Sequence, residues 1–351
     1  MSLKDKLKAI IRASGPIGVD AFMTACLHDP AHGYYATRPK LGEDGDFITA
    51  PLVSQMFGEL IGLWAVETWA RYGRPAPFRL IEVGPGDGTL IADVLRATRL
   101  AQDFLAAADL WLVETSAPLA LAQRRRLAET PAHWVASLDE VPGEAPMILI
   151  ANEVLDCLPA AQFVRRDEGW AERVVGLDAD GELCFGLAPP SRPAADFAPP
   201  GTLIEISSAQ SAFAGAVARR LMVDGGAALL IDYGGEIQGG DTLQALKRHQ
   251  KVDPLAEPGE ADLTVHADFR AVRVAAKAVG ARAAQQTQGE FLRRLGVAER
   301  ADALSRAQPE LAETIARQLA RLVDDDQMGR LFKVLCLFAG TDRPPPGFED
   351  V

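Results

Sequence analysis

The segment Glu82-Val-Gly-Pro-Gly-Asp-Gly-Thr89 constrains this chain more than any other part of it. It follows the apolar run Arg79-Leu-Ile-Glu-Val83 and precedes a helical pattern near Thr89–Thr98, so it reads as a strand, a tight loop and a helix start. Gly84, Gly86 and Gly88 permit positive φ and close approach of backbone to a ligand. Spacing then narrows the ligand. A dinucleotide fold uses Gly-x-Gly-x-x-Gly so that pyrophosphate rests on the helix N-terminus, whereas this loop is Gly-x-Gly-x-Gly, and no Gly-Lys-Ser/Thr follows to make a P-loop. The tighter spacing leaves room for a nucleoside rather than a pyrophosphate cradle. Taken alone, such a loop is equally a simple tight turn between strand and helix.

A second acid supports the ligand reading. Glu114 ends the next apolar strand, Leu110-Trp-Leu-Val-Glu114, where a carboxylate can accept hydrogen bonds from vicinal ribose hydroxyls. Together with Glu82 inside the first strand, these residues predict a nucleotide-like cofactor, and S-adenosylmethionine fits the spacing better than NAD. An NAD-linked dehydrogenase is further disfavoured by the lack of an obvious catalytic Lys or Tyr-x-x-x-Lys pair.

From residue 79 onward short apolar runs alternate with helical stretches, the pattern of a parallel sheet with crossover helices. A short third strand is expected near His133–Val135 and a fourth at Met147-Ile-Leu-Ile-Ala151, with a helix at Pro118–Glu129 between strands. Residues Gln162 to Leu187 break the alternation and read as an antiparallel insertion with a turn at Asp180-Gly181. The helical segment Gln210–Val223 returns the chain to the strand Ala227-Ala-Leu-Leu-Ile-Asp232, and Phe332–Phe338 closes as a last strand. The expected fold is α/β, with an N-terminal helical extension over 1–78 that includes Phe57 to Tyr72. A sheet domain follows over 79–351, with a β insertion at about 160–190 and C-terminal helical additions at about 240–328.

Composition excludes several classes. Asp plus Glu outnumber Lys plus Arg by 48 to 36, and the resulting charge of −12 repels a phosphate backbone, so nucleic acid is not an expected partner. Cys26, Cys157, Cys184 and Cys336 are scattered without a Cys-x-x-Cys pair, which fits a reducing compartment. The start of the chain reads as an amphipathic helix through Leu3, Leu7, Ile10 and Ile11, and no run has the ~18 apolar residues of a membrane span, so a cytoplasmic protein without an integral membrane segment is expected. His28 and His32 are four apart, but Pro30 spoils the helix that would align them, so no metal site is expected. Arg124 to Arg126 read as a solvated helix face.

Eight motifs in order resemble those of the MidA-type class I S-adenosylmethionine-dependent methyltransferases, a family that includes a mitochondrial complex I assembly factor. They are Gly15-Pro-Ile, His32-Gly-Tyr-Tyr35, Gly45-Asp-Phe-Ile-Thr-Ala-Pro51, Ser54-Gln-Met-Phe-Gly-Glu59, the glycine loop, Ala151-Asn-Glu-Val-Leu-Asp156-Cys-Leu-Pro159, Ile231-Asp-Tyr-Gly234 and Ala261-Asp-Leu-Thr-Val-His-Ala-Asp-Phe269. Two departures stand out: Asp87 replaces an Arg that members often carry in the loop, and Leu52 replaces a Glu. The resemblance implies a class I methyltransferase, Rossmann-like, seven-stranded sheet whose Phe332–Phe338 strand runs antiparallel to its neighbours.

It also implies S-adenosyl-L-methionine as cofactor and methyl transfer to an arginine of a partner protein such as a respiratory complex I subunit. The alternative is an assembly factor or chaperone that holds the cofactor without chemistry. In an open α/β sheet the ligand lies beyond the carboxyl ends of the strands, which is where Gly84, Glu114, Asn152, Glu153 and Asp232 fall. Glu153 is the first candidate to orient a cationic acceptor, with Asn152 beside it and Asp232 and Asp156 second. Glu82, Gly84, Gly86, Gly88, Glu114 and Asn152 are expected to bind cofactor. Asp46, Thr49, Ser54 and Gln55 are expected to fold over its methionine end, although Ser54 and Gln55 equally suit the start of the following helix. His266 is implied as a site-lining residue by the resemblance, against the commoner role of a structural histidine.

Overall fold

The computed structural model of the chain describes residues 1–37, 49–190, 198–236 and 239–349. Its contacts divide the chain into two units: Met1–Phe47, Leu155–Ser211 and Gly235–Asp268 form the first, and Ile48–Val154, Ala212–Gly234 and Phe269–Val351 the second.

The second unit is built on a sheet of β1 (Phe78–Val83), β2 (Ala108–Val113), β3 (His133–Val135), β4 (Met147–Asn152), β5 (Gly226–Gly235), β6 (Arg282–Thr287) and β7 (Phe332–Ala339). Their order is β6-β7-β5-β4-β1-β2-β3. The pairs β1–β2, β1–β4, β2–β3 and β4–β5 are parallel, while β7 is antiparallel to both β5 and β6. All six residues of β4 are buried, as expected of a central parallel strand covered on both faces. Strand order reverses between β1 and β4, so the crevice at their carboxyl ends is the fold's natural ligand position.

Three helices matter most to that crevice: α1 (Gln55–Arg71), α2 (Thr89–Ala97) and α3 (Ala117–Arg126). Gly58 and Gly62 lie one turn apart on α1, and a Cβ at Gly58 would stand 2.4 Å from Asp93 Cβ on α2. The two glycines therefore let the helices approach to backbone contact. Below them Trp69, Phe78 and Phe104 pack as an aromatic cluster, with centroids 5.0 Å apart for Phe78–Phe104 and 5.6 Å for Trp69–Phe104. Burying each such ring stabilises the fold by roughly 1.5–3 kcal/mol.

In the first unit the helix Leu3–Ser14 starts with a Ser2/Asp5 capping box and buries Leu3, Leu7 and Ile11, whereas Ile10 faces solvent. The expected insertion is an antiparallel sheet of Ala161–Arg166, Gly169–Leu177 and Leu183–Leu187, joined by Leu203–Ile206 and the short Ile17–Gly18. Gly181 at its turn has φ 77°, the left-handed conformation that position needs.

The division differs from the expected one in two respects. Helix α1, assigned from sequence to an N-terminal extension, belongs with the sheet because its glycine face packs on α2. The stretch 240–328 is not wholly helical. It holds a three-stranded sheet of Gln244–Lys247, Gln250–Val252 and Asp262–Thr264, and it contributes β6 to the main sheet. The hairpin turn there is made by Arg248 and His249, both at positive φ (52° and 61°), without the Asn-Gly or Asp-Gly that usually marks such a turn. Strand β6 reads Arg-Ala-Ala-Gln-Gln-Thr and is too polar to announce itself as a strand; its partner β7 supplies the apolar half of the pair.

Candidate functional site

The loop after β1 leaves the sheet while still bonded to it, since the Gly84 N–H donates to Val113 O at 3.0 Å. Gly84, Gly86 and Gly88 then take φ of 64°, 56° and 83°. An L side chain is strained at each of these angles, and a Cβ at Gly84 would also meet Val154 Cγ2 at 2.9 Å. Gly88 caps the N-terminus of α2, where the Asp87 carboxylate accepts from Thr89 N–H at 3.0 Å.

Arg126 at the end of α3 locks this loop from outside, donating through Nε to Asp87 O at 3.0 Å and through Nη2 to Asp87 Oδ2 at 2.6 Å. Arg124 lies 4.1 Å over the Trp134 ring. Arg124 to Arg126 are all exposed, as a solvated helix face requires, and two of them also contact Trp134 and the loop. The Arg126–Asp87 pair is solvent-exposed, so Arg126→Ala is expected to lower stability by no more than about 1 kcal/mol in denaturant unfolding. A loss above about 3 kcal/mol would show the pair to be a structural keystone instead.

Glu114 follows β2 directly, with its N–H bonded to Val135 O at 2.9 Å. Its Oε1 accepts from Ser116 N–H at 2.7 Å and its Oε2 from Gln123 Nε2 at 3.0 Å. Burial raises its carboxyl above the ordinary value, and those two donors pull it back. Gln123 Nε2 also donates to Gly86 O at 2.7 Å. Sequence reasoning passed over Gln123; the available signal was a polar residue four after Leu119 on the buried face of α3.

Glu82 is buried within β1, and its Oε2 meets no partner among the described residues. Burial pushes its carboxyl up to about 8, helped by the charges of Asp87 and Glu114. The folded chain therefore holds a proton on Glu82 that the unfolded chain releases near the ordinary glutamate value of 4.5. That contribution is fully present below about pH 4.5 and is lost as pH rises through about 8. Glu82→Gln is expected to flatten the fall of melting temperature across this window. An unchanged pH slope in the variant would show that Glu82 is ionised in the fold.

At the end of β4, Glu153 takes φ 54°, a left-handed conformation uncommon for a non-glycine residue. Its N–H donates to Ile231 O at 2.8 Å, and its Oε1 accepts from Asn152 Nδ2 at 3.0 Å and Ala50 N–H at 3.4 Å. Asn152 Oδ1 is buried with no partner among the described residues, an acceptor that a ligand donor would satisfy. Asp232, on the neighbouring β5, is fully buried and accepts from Tyr233 N–H at 2.8 Å.

The structure thus brings the glycine loop, Glu82 and Glu114 to the ends of β1 and β2, and Asn152, Glu153 and Asp232 to the ends of β4 and β5. Thr49 precedes Ala50, whose N–H reaches Glu153. Ser54 caps α1 by accepting from Met56 N–H at 3.3 Å, the helix-start role that was its alternative, and exposed Gln55 accepts from Arg96 Nη2 at 3.4 Å. Asp46 lies outside the described residues. His266 belongs to the first unit, where its backbone N–H is bonded to Thr242 Oγ1 at 2.9 Å and its side chain is exposed. Asp156 lies in that unit too, its carbonyl accepting from Val265 N–H.

These features suit an adenosyl cofactor. Gly84 leaves open the space that a side chain would fill, Glu114 is held as a double acceptor at the end of β2, and Asn152 offers an unused acceptor across the reversal of strand order.

Comparison with known proteins agrees. A family model described as S-adenosyl-L-methionine-dependent methyltransferase matches residues 60–287. The Drosophila melanogaster protein named "Protein arginine methyltransferase NDUFAF7 homolog, mitochondrial" is 36% identical over 375 residues, covering 97% of this chain and 85% of that relative. The Bos taurus protein named "Protein arginine methyltransferase NDUFAF7, mitochondrial" is 34% identical, covering 93% and 81%. Among solved structures, a COG1565 superfamily member from Burkholderia thailandensis bound to S-adenosyl-homocysteine superposes with a TM-score of 0.88 at 27% identity, covering 99% of this chain and 94% of that one. The relatives' names place them in mitochondria, which overturns the expectation of a cytoplasmic protein. No described helix is long and apolar enough to cross a membrane.

Proposed function

This chain belongs to the S-adenosyl-L-methionine-dependent methyltransferase family, and from that premise we propose that it methylates an arginine of a partner protein. The observation that carries the acceptor is Glu153, a carboxylate fixed at the end of β4 by Asn152 and Ala50 on a strained backbone. The relatives named as protein arginine methyltransferases support the same acceptor.

S-adenosyl-L-methionine supplies an electrophilic methyl group on a sulfonium. The chain supplies position and electrostatics. Gly84, Gly86 and Gly88 present backbone without side-chain obstruction, and the Glu114 carboxylate would accept hydrogen bonds from the ribose hydroxyls. Asn152 uses its amide N–H to hold Glu153 and its free Oδ1 to receive a donor of the cofactor. An arginine remains cationic in water, with a pKa above about 12. The Glu153 carboxylate therefore orients the guanidinium through paired N–H bonds, concentrates electron density on the nitrogen that attacks, and draws off the proton that nitrogen loses.

A respiratory complex I subunit is the partner suggested by the family resemblance, and the chain's formal charge of −12 suits a cationic acceptor segment. Incubation of the purified protein with labelled S-adenosyl-L-methionine and an extract lacking it is expected to label a protein band, with methylarginine on hydrolysis. Label on RNA or on a small molecule would sink the protein-acceptor proposal.

A further inference from the structure

One buried side chain joins the glycine loop to the ribose acid. Leu119 and Gln123 are the buried residues of α3, so the helix turns a stripe inward at which an apolar residue is the ordinary choice. Gln123 is nevertheless an amide with no solvent exposure. A buried amide is costly unless its polar atoms are bonded, and this one has a partner on each side. Nε2 donates to Gly86 O at 2.7 Å and to Glu114 Oε2 at 3.0 Å, while Oε1 accepts from Trp134 Nε1 at 3.0 Å.

The indole fixes which way the amide faces. Trp134 Nε1 can only donate, so reversing the amide would set its NH₂ against the indole N–H and its oxygen against the Gly86 carbonyl and the Glu114 carboxylate. The second oxygen of Glu114 is held independently by Ser116 N–H at 2.7 Å. The carboxylate plane is thus set by two donors, one from its own turn and one from α3. The carbonyl of Gly86, at the middle of the loop, is tied to the same amide. A Cβ on Gly88 would stand 3.4 Å from Gln123 Cγ, so the helix lies in close contact with the loop.

We propose that Gln123 is a positioning residue, locked by Trp134, that orients the Glu114 carboxylate toward the ribose hydroxyls and couples it to the glycine loop. The inference rests on the reading of Glu114 as the ribose acid. Gln123 acts through Glu114 and the loop backbone, so its loss should erode recognition of the ribose diol rather than all affinity equally.

The test is calorimetric binding of S-adenosyl-homocysteine and of its 2′-deoxy and 3′-deoxy ribose analogues to the parental chain, Gln123→Met, Trp134→Phe and Glu114→Gln. Methionine keeps the shape of glutamine and removes its bonds. Gln123→Met is expected to cut the discrimination between the full and deoxy ligands by about tenfold, the scale of one hydrogen bond to a charged group. Trp134→Phe, which leaves the amide in place but unlocked, is expected to reduce it in the same direction by less. A merely structural role would lower the melting temperature and leave the ratio of affinities untouched. If Glu114→Gln abolishes discrimination while Gln123→Met and Trp134→Phe both retain it, the positioning role is overturned and the ribose reading stands. If Glu114→Gln itself retains full discrimination, the ribose reading fails and the inference with it. Should Gln123→Met not fold, Trp134→Phe alone decides: an unchanged ratio overturns the proposal.

Discussion

Gly84→Val is expected to abolish cofactor binding while leaving most of the sheet intact. Two physical effects add. Gly84 sits at φ 64°, where a β-branched residue is a steric outlier, and its Cβ position is 2.9 Å from Val154 Cγ2. The left-handed conformation alone costs an L residue about 1–2 kcal/mol, so the loop would shift rather than hold its shape. Any shift moves the Gly84 N–H off Val113 O and the Gly86 carbonyl off Gln123. Loss of affinity for S-adenosyl-homocysteine by at least about a hundredfold is expected in calorimetry, together with loss of ligand-induced rise in melting temperature. Gly84→Ala, with the same φ strain and less bulk, should fall between. Parental affinity in the valine variant would mean that the cofactor does not approach this backbone.

Glu153→Gln is expected to do the reverse, keeping cofactor binding and removing transfer. Glutamine retains an oxygen that can accept from Asn152 Nδ2 and Ala50 N–H, so the local bonds survive. What disappears is the negative charge that orients a guanidinium and takes up its proton. Groups in such a role commonly contribute between about 10² and 10⁴ in rate, so kcat is expected to fall by about a hundredfold or more. The dissociation constant for S-adenosyl-homocysteine should stay within about threefold of parental, because the loop and Glu114 are untouched. Transfer at the parental rate would remove Glu153 from the mechanism and leave Asp232 as the carboxylate to test next.

The parts of the site that were legible in sequence are those where one residue type is dictated by local backbone. The Gly-x-Gly-x-Gly spacing after an apolar strand placed the loop, and all three glycines do hold positive φ. Glu114 was expected at the end of a strand, and it directly follows β2. Asn152 and Glu153 were likewise expected after an apolar run, and they stand at the end of β4. The left-handed φ of Glu153 was not expected, because nothing in Asn-Glu-Val announces it.

The cytoplasmic expectation failed for a different reason. It rested on the absence of an apolar stretch at the start of the chain, and the names of the relatives point to another compartment.

By itself the sequence determined the α/β class, the position of the glycine loop and the existence of a last strand at Phe332–Phe338. Those follow from hydrophobic period and glycine spacing, which act over a few residues and are written contiguously. Only the tertiary structure decided that α1 packs on α2 through Gly58 and Gly62, that polar Arg282–Thr287 is a sheet strand, and that Gln123 and Arg126 brace the loop. Each of these depends on partners far along the chain. A buried amide, a close helix contact and an edge strand acquire their meaning from what lies opposite them, and the opposite residue is invisible until the chain has folded.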